Sequence, residues 1–348
     1  NADRANPLGV LVSESQDAVT CPVGLLEFGQ TYYWRVDEVN AAPDYGIFKG
    51  NIWSFTTEPF AYPIQNIVAT SNLTSEAASG PEKSIDGSGL NAADEHSISP
   101  ADMWLGKPAG EEPLWIQYEF DRVYKLHAID IWNYNAQFEI ILGFGLKEVT
   151  IEYSTDAVEW TPLAEVELTQ ATAKTGYTAN TAIDGTGVAA QYVRIIIHSG
   201  HGTEGQYGLS EVRFLYVPAH ARGPQPADDA NNVSVDAVLN WRTGREAASH
   251  EVYLSCDPQA VSDGTALVDS VATSNCPAGA LDFGTIYYWK VDEVNEAEAV
   301  SLWEGDLWSF TTQEYGVIDD FESYNDEDNL IFDTWLDGWI NDTGSTVG

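Results

Sequence analysis

Tyr32-Tyr33-Trp34-Arg35-Val36-Asp37-Glu38-Val39-Asn40 returns 255 positions later as Tyr287-Tyr288-Trp289-Lys290-Val291-Asp292-Glu293-Val294-Asn295. At the same offset Leu26-Glu27-Phe28-Gly29 meets Leu281-Asp282-Phe283-Gly284, Trp53-Ser54-Phe55-Thr56-Thr57 meets Trp308-Ser309-Phe310-Thr311-Thr312, and Cys21 meets Cys276. One module therefore occurs twice, and the stretch between the copies is a different domain. Within the quoted segment Tyr288, Lys290 and Asp292 alternate with Trp289, Val291 and Glu293. That is the period of a strand with one face turned to a core.

Outward from this segment, the second copy shows strand signals at 237–241, 250–255, 266–271, 285–294 and 307–312, separated by Gly, Pro, Asn and Asp. Short strands at such spacing, with no amphipathic helix of about ten residues, predict an antiparallel sandwich. The first copy has no equivalent of strands 237–241 and 250–255 before Asn1. It is expected to be incomplete, its missing strands lying upstream in a longer chain or coming from another molecule.

At 348 residues the chain has room for about two or three domains. Fifty-four acidic residues against 15 basic ones give a formal net charge of −39, which argues against nucleic acid and anionic membrane surfaces as partners and makes divalent cations natural counterions. Aromatic residues make up 12% and charged ones only 20%, a core-forming composition. No run approaches the roughly 20 apolar residues of a membrane span, so no membrane insertion is expected. The start is not a signal peptide, and the sequence reads as an internal segment of a longer protein.

Of the three cysteines, Cys256 and Cys276 lie twenty positions apart in the second copy. A disulfide between them would close a loop and suit an oxidising, extracellular compartment; two buried free thiols are the alternative. The position matching Cys256 in the first copy is Asn1, so Cys21 has lost its partner or the partner sits just upstream.

The second copy resembles a fibronectin type III domain, its Tyr-Tyr-Trp-Lys-Val strand matching that family's penultimate strand and Trp308-Ser309-Phe310-Thr311-Thr312 its last. The block between the copies has strand signals at 114–120, 126–133, 146–154, 161–167, 192–198 and 208–216. It resembles the discoidin, or coagulation factor 5/8 type C, domain, a jelly roll shared with many carbohydrate-binding modules. The matching motifs are Ser84-Ile85-Asp86-Gly87 with Trp104, Trp115 to Phe120, Val149 to Asp156 with Trp160, Tyr192 to Ile195, and Leu209 to Phe214. The expected architecture is all-β: a discoidin-like jelly roll between two fibronectin type III-like sandwiches, the first incomplete, plus the start of a further β domain. The boundaries are 1–60 for the first partial sandwich, 64–217 for the jelly roll, 218–229 for a Pro- and Asp-rich linker, 230–314 for the second sandwich and 317–348 for the acidic tail.

The discoidin resemblance implies a structural Ca²⁺ held by Asp86 and Glu211, with Lys83 and Ser88 offering carbonyl or hydroxyl oxygens; hard cations take six to eight such ligands. It also implies glycan-binding loops at one end of the barrel. Candidates there are Asn133, Tyr134, Asn135 and Phe138 in one loop and His198, His201 and Tyr207 in another, mixing ring faces with planar polar groups as sugar recognition requires. His198 and His201 are three apart, but no third zinc ligand is recognisable. Gly-x-Ser-x-Gly, phosphate-loop and His-Glu-x-x-His patterns do not occur, and no carboxylate pair stands out, so no catalytic residues are assigned and the segment is read as non-catalytic. The expected role is glycan binding or adhesion at a cell surface or outside the cell, with fibronectin-like spacers. The alternatives are a subunit of a filament, sheath or surface layer that contacts copies of itself, and the accessory binding region of a large secreted glycoside hydrolase.

Overall fold

The structure, a computed structural model, describes residues 10–14, 16–40, 43, 45–110, 112–316, 321–325 and 327–334. It divides into two compact units, Asn1–Pro218 and Ala219–Gly348.

The first unit opens with the early copy of the repeat: β1 (Thr31–Trp34), β2 (Glu38–Val39), β3 (Ile47–Phe48) and β4 (Trp53–Thr56), in which β1 pairs with β4 and β2 with β3, both antiparallel. Among the described residues these remain two separate two-stranded sheets.

The jelly roll follows with β5 (Tyr62–Pro63), β6 (Ile67–Ser71), β7 (Leu73–Ser75), β8 (Trp104–Pro108), β9 (Leu114–Asn133), helix α1 (Glu139–Leu142), β10 (Glu148–Ser154), β11 (Thr161–Glu167), β12 (Thr181–Asp184), β13 (Ala189–Ile197) and β14 (Tyr207–Val217). Two layers share the long strand β9. Its first half pairs with β6 and β13, its second with β12 and β14. The sequence predicts two strands here, 114–120 and 126–133; the structure joins them. Pairing with β13 resumes on both sides of residues 120–123: Ala190 faces Tyr124 and Tyr192 faces Glu119, so the extra residues lie in β9 and let it bend from one layer into the next. Asp121, between the two expected strands, accepts hydrogen bonds from Asn66 Nδ2 (2.9 Å) and the Tyr124 hydroxyl (2.8 Å), which pins the bend.

Alternate residues of β9 enter the core: Ile116, Tyr118 and Phe120 on one side of the bend, Ile129 and Ile131 on the other, together with Trp104, Ile151, Ile195 and Phe214. Phe214 packs its ring 4.9 Å from Tyr118 and 5.1 Å from Phe120, centroid to centroid. Each such side chain contributes roughly 1.5–3 kcal/mol by leaving water. The same packing fixes where the loops at the end of the roll emerge.

The second unit contains β15 (Arg222–Gln225), β16 (Ala230–Val233), β17 (Val238–Arg242), β18 (Ser249–Ser255), helix α2 (Pro258–Ser262), β19 (Leu267–Val271), β20 (Asn275–Pro277), β21 (Ile286–Val294), β22 (Leu302–Trp303) and β23 (Trp308–Thr312). One sheet runs β15-β17-β20; the other runs β16-β23-β21-β18-β19, with β22 beside β21. Leu239, Trp241, Val252, Trp289, Val291, Trp308 and Phe310 meet between them. The five strand signals of this copy all correspond to strands. The stretch 218–229, expected as a linker, is different: Arg222 pairs with Arg242 and Gln225 with Asn240, so it supplies an edge strand to the smaller sheet. Its proline and aspartates hid that strand, because they are tolerated at a sheet edge.

The disulfide expected between Cys256 and Cys276 is not formed, and all three cysteines are free. Cys256 is exposed just after β18, whereas Cys276 is buried in β20, which belongs to the other sheet. The Cys276 thiol faces the Pro277 carbonyl at 3.6 Å, and burial raises its pKa.

The tail 317–348 was expected to open another β domain. Among its described residues there is no strand, only the helical turn α3 (Ile331–Thr334); positions 317–320, 326 and 335–348, with Trp335 and Trp339, lie outside the described residues, as does Asn1. No helix among the described residues is long and apolar enough to cross a membrane.

Candidate functional site

The loops at one end of the jelly roll are stitched together by buried polar side chains. Asn133 ends β9 with no exposure. Its Nδ2 donates to the carbonyls of Leu146 (2.7 Å) and Thr169 (2.9 Å), and its Oδ1 accepts from the backbone N–H of Tyr134 (2.9 Å) and Leu146 (3.0 Å). Asn135 is also fully buried and donates to the carbonyls of Ser97 (3.2 Å) and Lys174 (2.9 Å). Tyr134 packs with Met103 and Ala136 in a small cluster of their own. These three residues were candidate sugar contacts. The structure turns all three inward: the Asn133 amide is spent on backbone groups, Asn135 Nδ2 on two carbonyls while its buried Oδ1 has no partner, and the Tyr134 ring packs in its cluster, so burial leaves them no open face toward a sugar.

His201 is part-buried, its Nε2 3.0 Å from the Leu168 carbonyl. The backbone beside it is zipped onto the facing loop by His201 N–H to Gly145 O (3.1 Å) and Gly202 N–H to Gly143 O (2.7 Å). Gly202 is required there, since a side chain would run into the Leu142 carbonyl. Tyr207 lies partly buried against the main core, and His198 is exposed beside Thr150, with Nε2 2.8 Å from that hydroxyl.

Phe138 is the candidate that the fold presents. It is 61% exposed and sits at φ 74°, a left-handed conformation that a bulky residue adopts only when its surroundings impose it. It stands at the start of α1, next to Glu139, whose carboxylate is buried and accepts hydrogen bonds from the backbone N–H groups of Phe144 (3.0 Å) and Gly145 (2.9 Å). Burial raises the Glu139 pKa, and these two bonds oppose the rise. Beyond Glu139, Ile140 is 62% and Ile141 80% exposed, so the loop ends in an apolar tip on a polar anchor. The sequence reading missed Glu139, Ile140 and Ile141. The signal was present: 138–142 is an apolar run, interrupted once by a carboxylate, in a stretch with no strand period.

Lys83, Asp86, Ser88 and Glu211 converge at a second place. Asp86 takes the Lys83 ammonium at 2.8 Å and the Ser88 N–H at 2.9 Å. These bonds hold its carboxyl below the ordinary value although burial opposes them. Glu211 in β14 is 4% exposed, and its Oε2 has no hydrogen-bond partner. Burial first, and then the Asp86 charge, push Glu211 up to about 8. A buried carboxylate oxygen without a partner, beside a second carboxylate and a tight Asp-Gly turn, fits a hard cation. Lys83 would contribute only its carbonyl, since its ammonium already serves Asp86 as counterion. Among the described residues no cluster of three or more His, Cys, Asp or Glu side chains is placed to hold a metal, so backbone oxygens would have to complete the shell.

A groove of 410 Å³ runs along β9 and β12, lined by Asp94, Asp130, Trp132, Asn180 and Arg213 among others. Its charge is spent internally: Arg213 donates to both oxygens of Asp94 (2.6 and 2.9 Å) and lies 5.1 Å above the Trp132 ring.

A two-layer jelly roll with a loop-borne apolar tip and a paired-carboxylate turn is the architecture of a binding domain. Residues 66–212 match the F5/8 type C domain family, and the chain carries such a domain. Among solved structures it is similar to CpGH89CBM32-5 from Clostridium perfringens in complex with GalNAc-β-1,3-galactose, at 16% identity over 44% of this chain and 98% of that one, with a TM-score of 0.34. It is also similar to the family 32 carbohydrate-binding module of C. perfringens NanJ in complex with galactose (16% identity, 45% and 98% covered, TM-score 0.32). A third is CBM32-3 from a family 31 glycoside hydrolase of C. perfringens (23% identity, 45% and 95% covered, TM-score 0.33). No curated protein matches the chain.

Proposed function

We propose that the F5/8 type C domain binds a glycan at the loop end that carries Phe138, in an extracellular or cell-surface protein whose fibronectin type III-like modules act as spacers. The observation that supports this reading is the Phe138 tip: an exposed ring on a residue at φ 74°, beside a loop anchored by the buried Glu139 carboxylate. A ring fixed in this way can stack on the apolar face of a sugar at little cost in conformational entropy. The galactose and GalNAc ligands of the similar solved modules make galactose-type sugars the first to test.

Phe138→Ala is expected to weaken binding to a galactose- or GalNAc-bearing glycan at least about tenfold, equivalent to about 1.4 kcal/mol, with the melting temperature unchanged. Glycan arrays followed by calorimetry measure it, and undiminished binding in the variant would remove Phe138 from the site.

Calcium enters the same proposal as a structural ion held by Asp86, Glu211 and carbonyl or hydroxyl oxygens of Lys83 and Ser88. At a hundredfold excess over its Kd the ion is expected to stabilise the domain by about 2.7 kcal/mol, seen as a rise in melting temperature that a chelator reverses. Glu211→Gln should abolish the rise. A melting temperature indifferent to Ca²⁺ in the parent protein would exclude the ion.

A second reading, a subunit of a filament, sheath or surface layer, draws support from the exposed Trp34 and Trp53 of the first repeat. Electron microscopy of the purified chain tests it, and dispersed monomers would sink it. The accessory region of a secreted glycoside hydrolase is compatible with the glycan reading, and the sequence of the full gene decides that point.

A further inference from the structure

Three charged residues line the groove along β9 and β12: Asp94, Asp130 and Arg213. Arg213 and Asp130 are cross-strand neighbours in the β14–β9 ladder, yet the guanidinium turns away from that neighbour and gives both of its terminal nitrogens to Asp94. The loop before β8 is built to hold Asp94 there. Asp94 sits at φ 56°, its N–H donates to Asn91 O (3.0 Å), and its carbonyl accepts from the Trp132 indole N–H (3.1 Å). Asn91 Oδ1 closes the turn by accepting from the N–H groups of Ala93 (2.8 Å) and Glu95 (3.1 Å). Two of the three charges are thus locked in a bidentate pair.

Asp130 is the charge left over. It is half-buried, and among the described residues no hydrogen bond reaches its carboxylate; burial raises its pKa, Arg213 opposes the rise and Asp94 adds to it. A second unmatched atom of the lining is Asn180 Oδ1, whose amide Nδ2 already donates to the Thr169 carbonyl (2.9 Å). Both unmatched groups are acceptors. With two carboxylates against one guanidinium the groove repels anions, and the ligand that suits it brings donors and a positive charge.

The lining also indicates what that charge is attached to. Trp132 is closed off, 2% exposed beneath Arg213, so open apolar surface is limited to Ala179 and Ala182. An alkyl chain would find little to pack against. Thr178 and Thr181 offer hydroxyls along the same wall, and 410 Å³ lies near the small end of the roughly 300–1,000 Å³ of ligand sites. A single polyhydroxylated ring suits both features.

We propose that this groove is a second ligand site, for an amino sugar with a free primary ammonium. The ammonium donates to Asp130, and the ring hydroxyls lie against Thr178 and Thr181. The N-acetylated sugar is disfavoured, because acetylation removes the charge and adds a carbonyl to a groove already rich in acceptors. The proposal does not rest on the glycan reading of the Phe138 loop end, since no lining residue belongs to that loop.

The test titrates glucosamine, N-acetylglucosamine, glucose and butylamine into the full chain, read by calorimetry and by the NMR signal of the Trp132 indole N–H. Glucosamine should bind with a Kd of about 1 mM or tighter and shift that signal, with the other three at least about tenfold weaker. Asp130→Asn should weaken glucosamine at least about tenfold; it breaks no hydrogen bond within the protein, so the melting temperature should hold. Ala182→Leu, at an exposed position opposite Asp130 in the β12–β9 ladder, fills the groove and should weaken glucosamine as much without altering the charge. Phe138→Ala should leave glucosamine binding unchanged. Glucose bound as tightly as glucosamine, or glucosamine bound unchanged by either groove variant, would overturn the proposal. Butylamine bound as tightly would show a simple alkylammonium to be the occupant and overturn it equally. So would loss of glucosamine binding in Phe138→Ala, which would place the sugar at the loop end, or an unmoved Trp132 signal at about 10 mM glucosamine.

Discussion

Asn133→Ala is expected to destabilise the jelly roll by about 3–5 kcal/mol, a severe effect for one exchange of a polar residue. The amide is wholly buried and makes four hydrogen bonds, two to carbonyl oxygens and two from N–H groups. Truncation leaves all four backbone partners in a place that water does not reach, and each buried unsatisfied group costs about 1–3 kcal/mol. Partial relaxation or an admitted water keeps the total below the simple sum. Asn133→Asp should be nearly as damaging, because a second oxygen would then face the Leu146 and Thr169 carbonyls. Urea denaturation of the chain, followed by a probe in the jelly roll, measures the loss. A change below about 1 kcal/mol would mean that the loop end is held by something else. The contrast with Phe138→Ala is the informative one: it should alter binding and leave stability alone, whereas Asn133→Ala should remove binding by removing the fold.

The second large effect belongs to the later sandwich. His250→Ala is expected to cost about 3–5 kcal/mol, the usual consequence of leaving one member of a buried pair alone. His250 and Glu293 are 3 and 1% exposed, and without the imidazole the buried Glu293 carboxylate loses that partner while keeping the Gly244 N–H at 2.9 Å. The Trp241 ring, 5.4 Å from the imidazole, would lose packing as well. His250→Leu combined with Glu293→Leu should recover much of the loss, since an apolar pair of similar volume needs no hydrogen bonds. Failure of the double variant to recover would point to packing, and not charge, as the origin of the cost. Glu38→Gln in the first copy provides the control. Glu38 aligns with Glu293, but it is exposed, and its exchange should leave the melting temperature unchanged.

The strands of this protein were legible because their signals are local. The alternation in Tyr287 to Glu293, the repeat at a fixed offset and the run of β9 residues all report a period of two, which any one-sided strand must show. The linker and the bend in β9 were not legible. A strand at a sheet edge tolerates a proline such as Pro224, and the pairing on both sides of Asp121 depends on β13, a strand some seventy residues away. The Cys256–Cys276 pairing failed for a related reason: twenty positions of separation cannot say that β18 and β20 lie in different sheets.

The candidate site shows the same division more sharply. The loop after β9 was nominated from the sequence, yet Asn133, Tyr134 and Asn135 looked as suitable for a sugar as Phe138 did. A strand end sends successive side chains to opposite sides, and only the packing of Tyr177, Ser210, Leu146 and Thr169 around it decides which side is closed. Asp86 and Glu211 were nominated from a family resemblance; their proximity, and the unpartnered Glu211 oxygen, are properties of the folded chain.

By itself, the sequence determined that the protein is built of β modules and that one module occurs twice, while the jelly roll between the copies was implied by a family resemblance. The first two conclusions rest on periodicity and self-similarity, which are properties of neighbours along the chain. Only the tertiary structure decided which residues of the loop after β9 reach solvent. Asn133 and Phe138 lie five positions apart, and they differ in whether segments such as those carrying the Leu146 and Thr169 carbonyls close over them. Burial is a relation between segments distant in sequence, and no reading of either segment alone contains it.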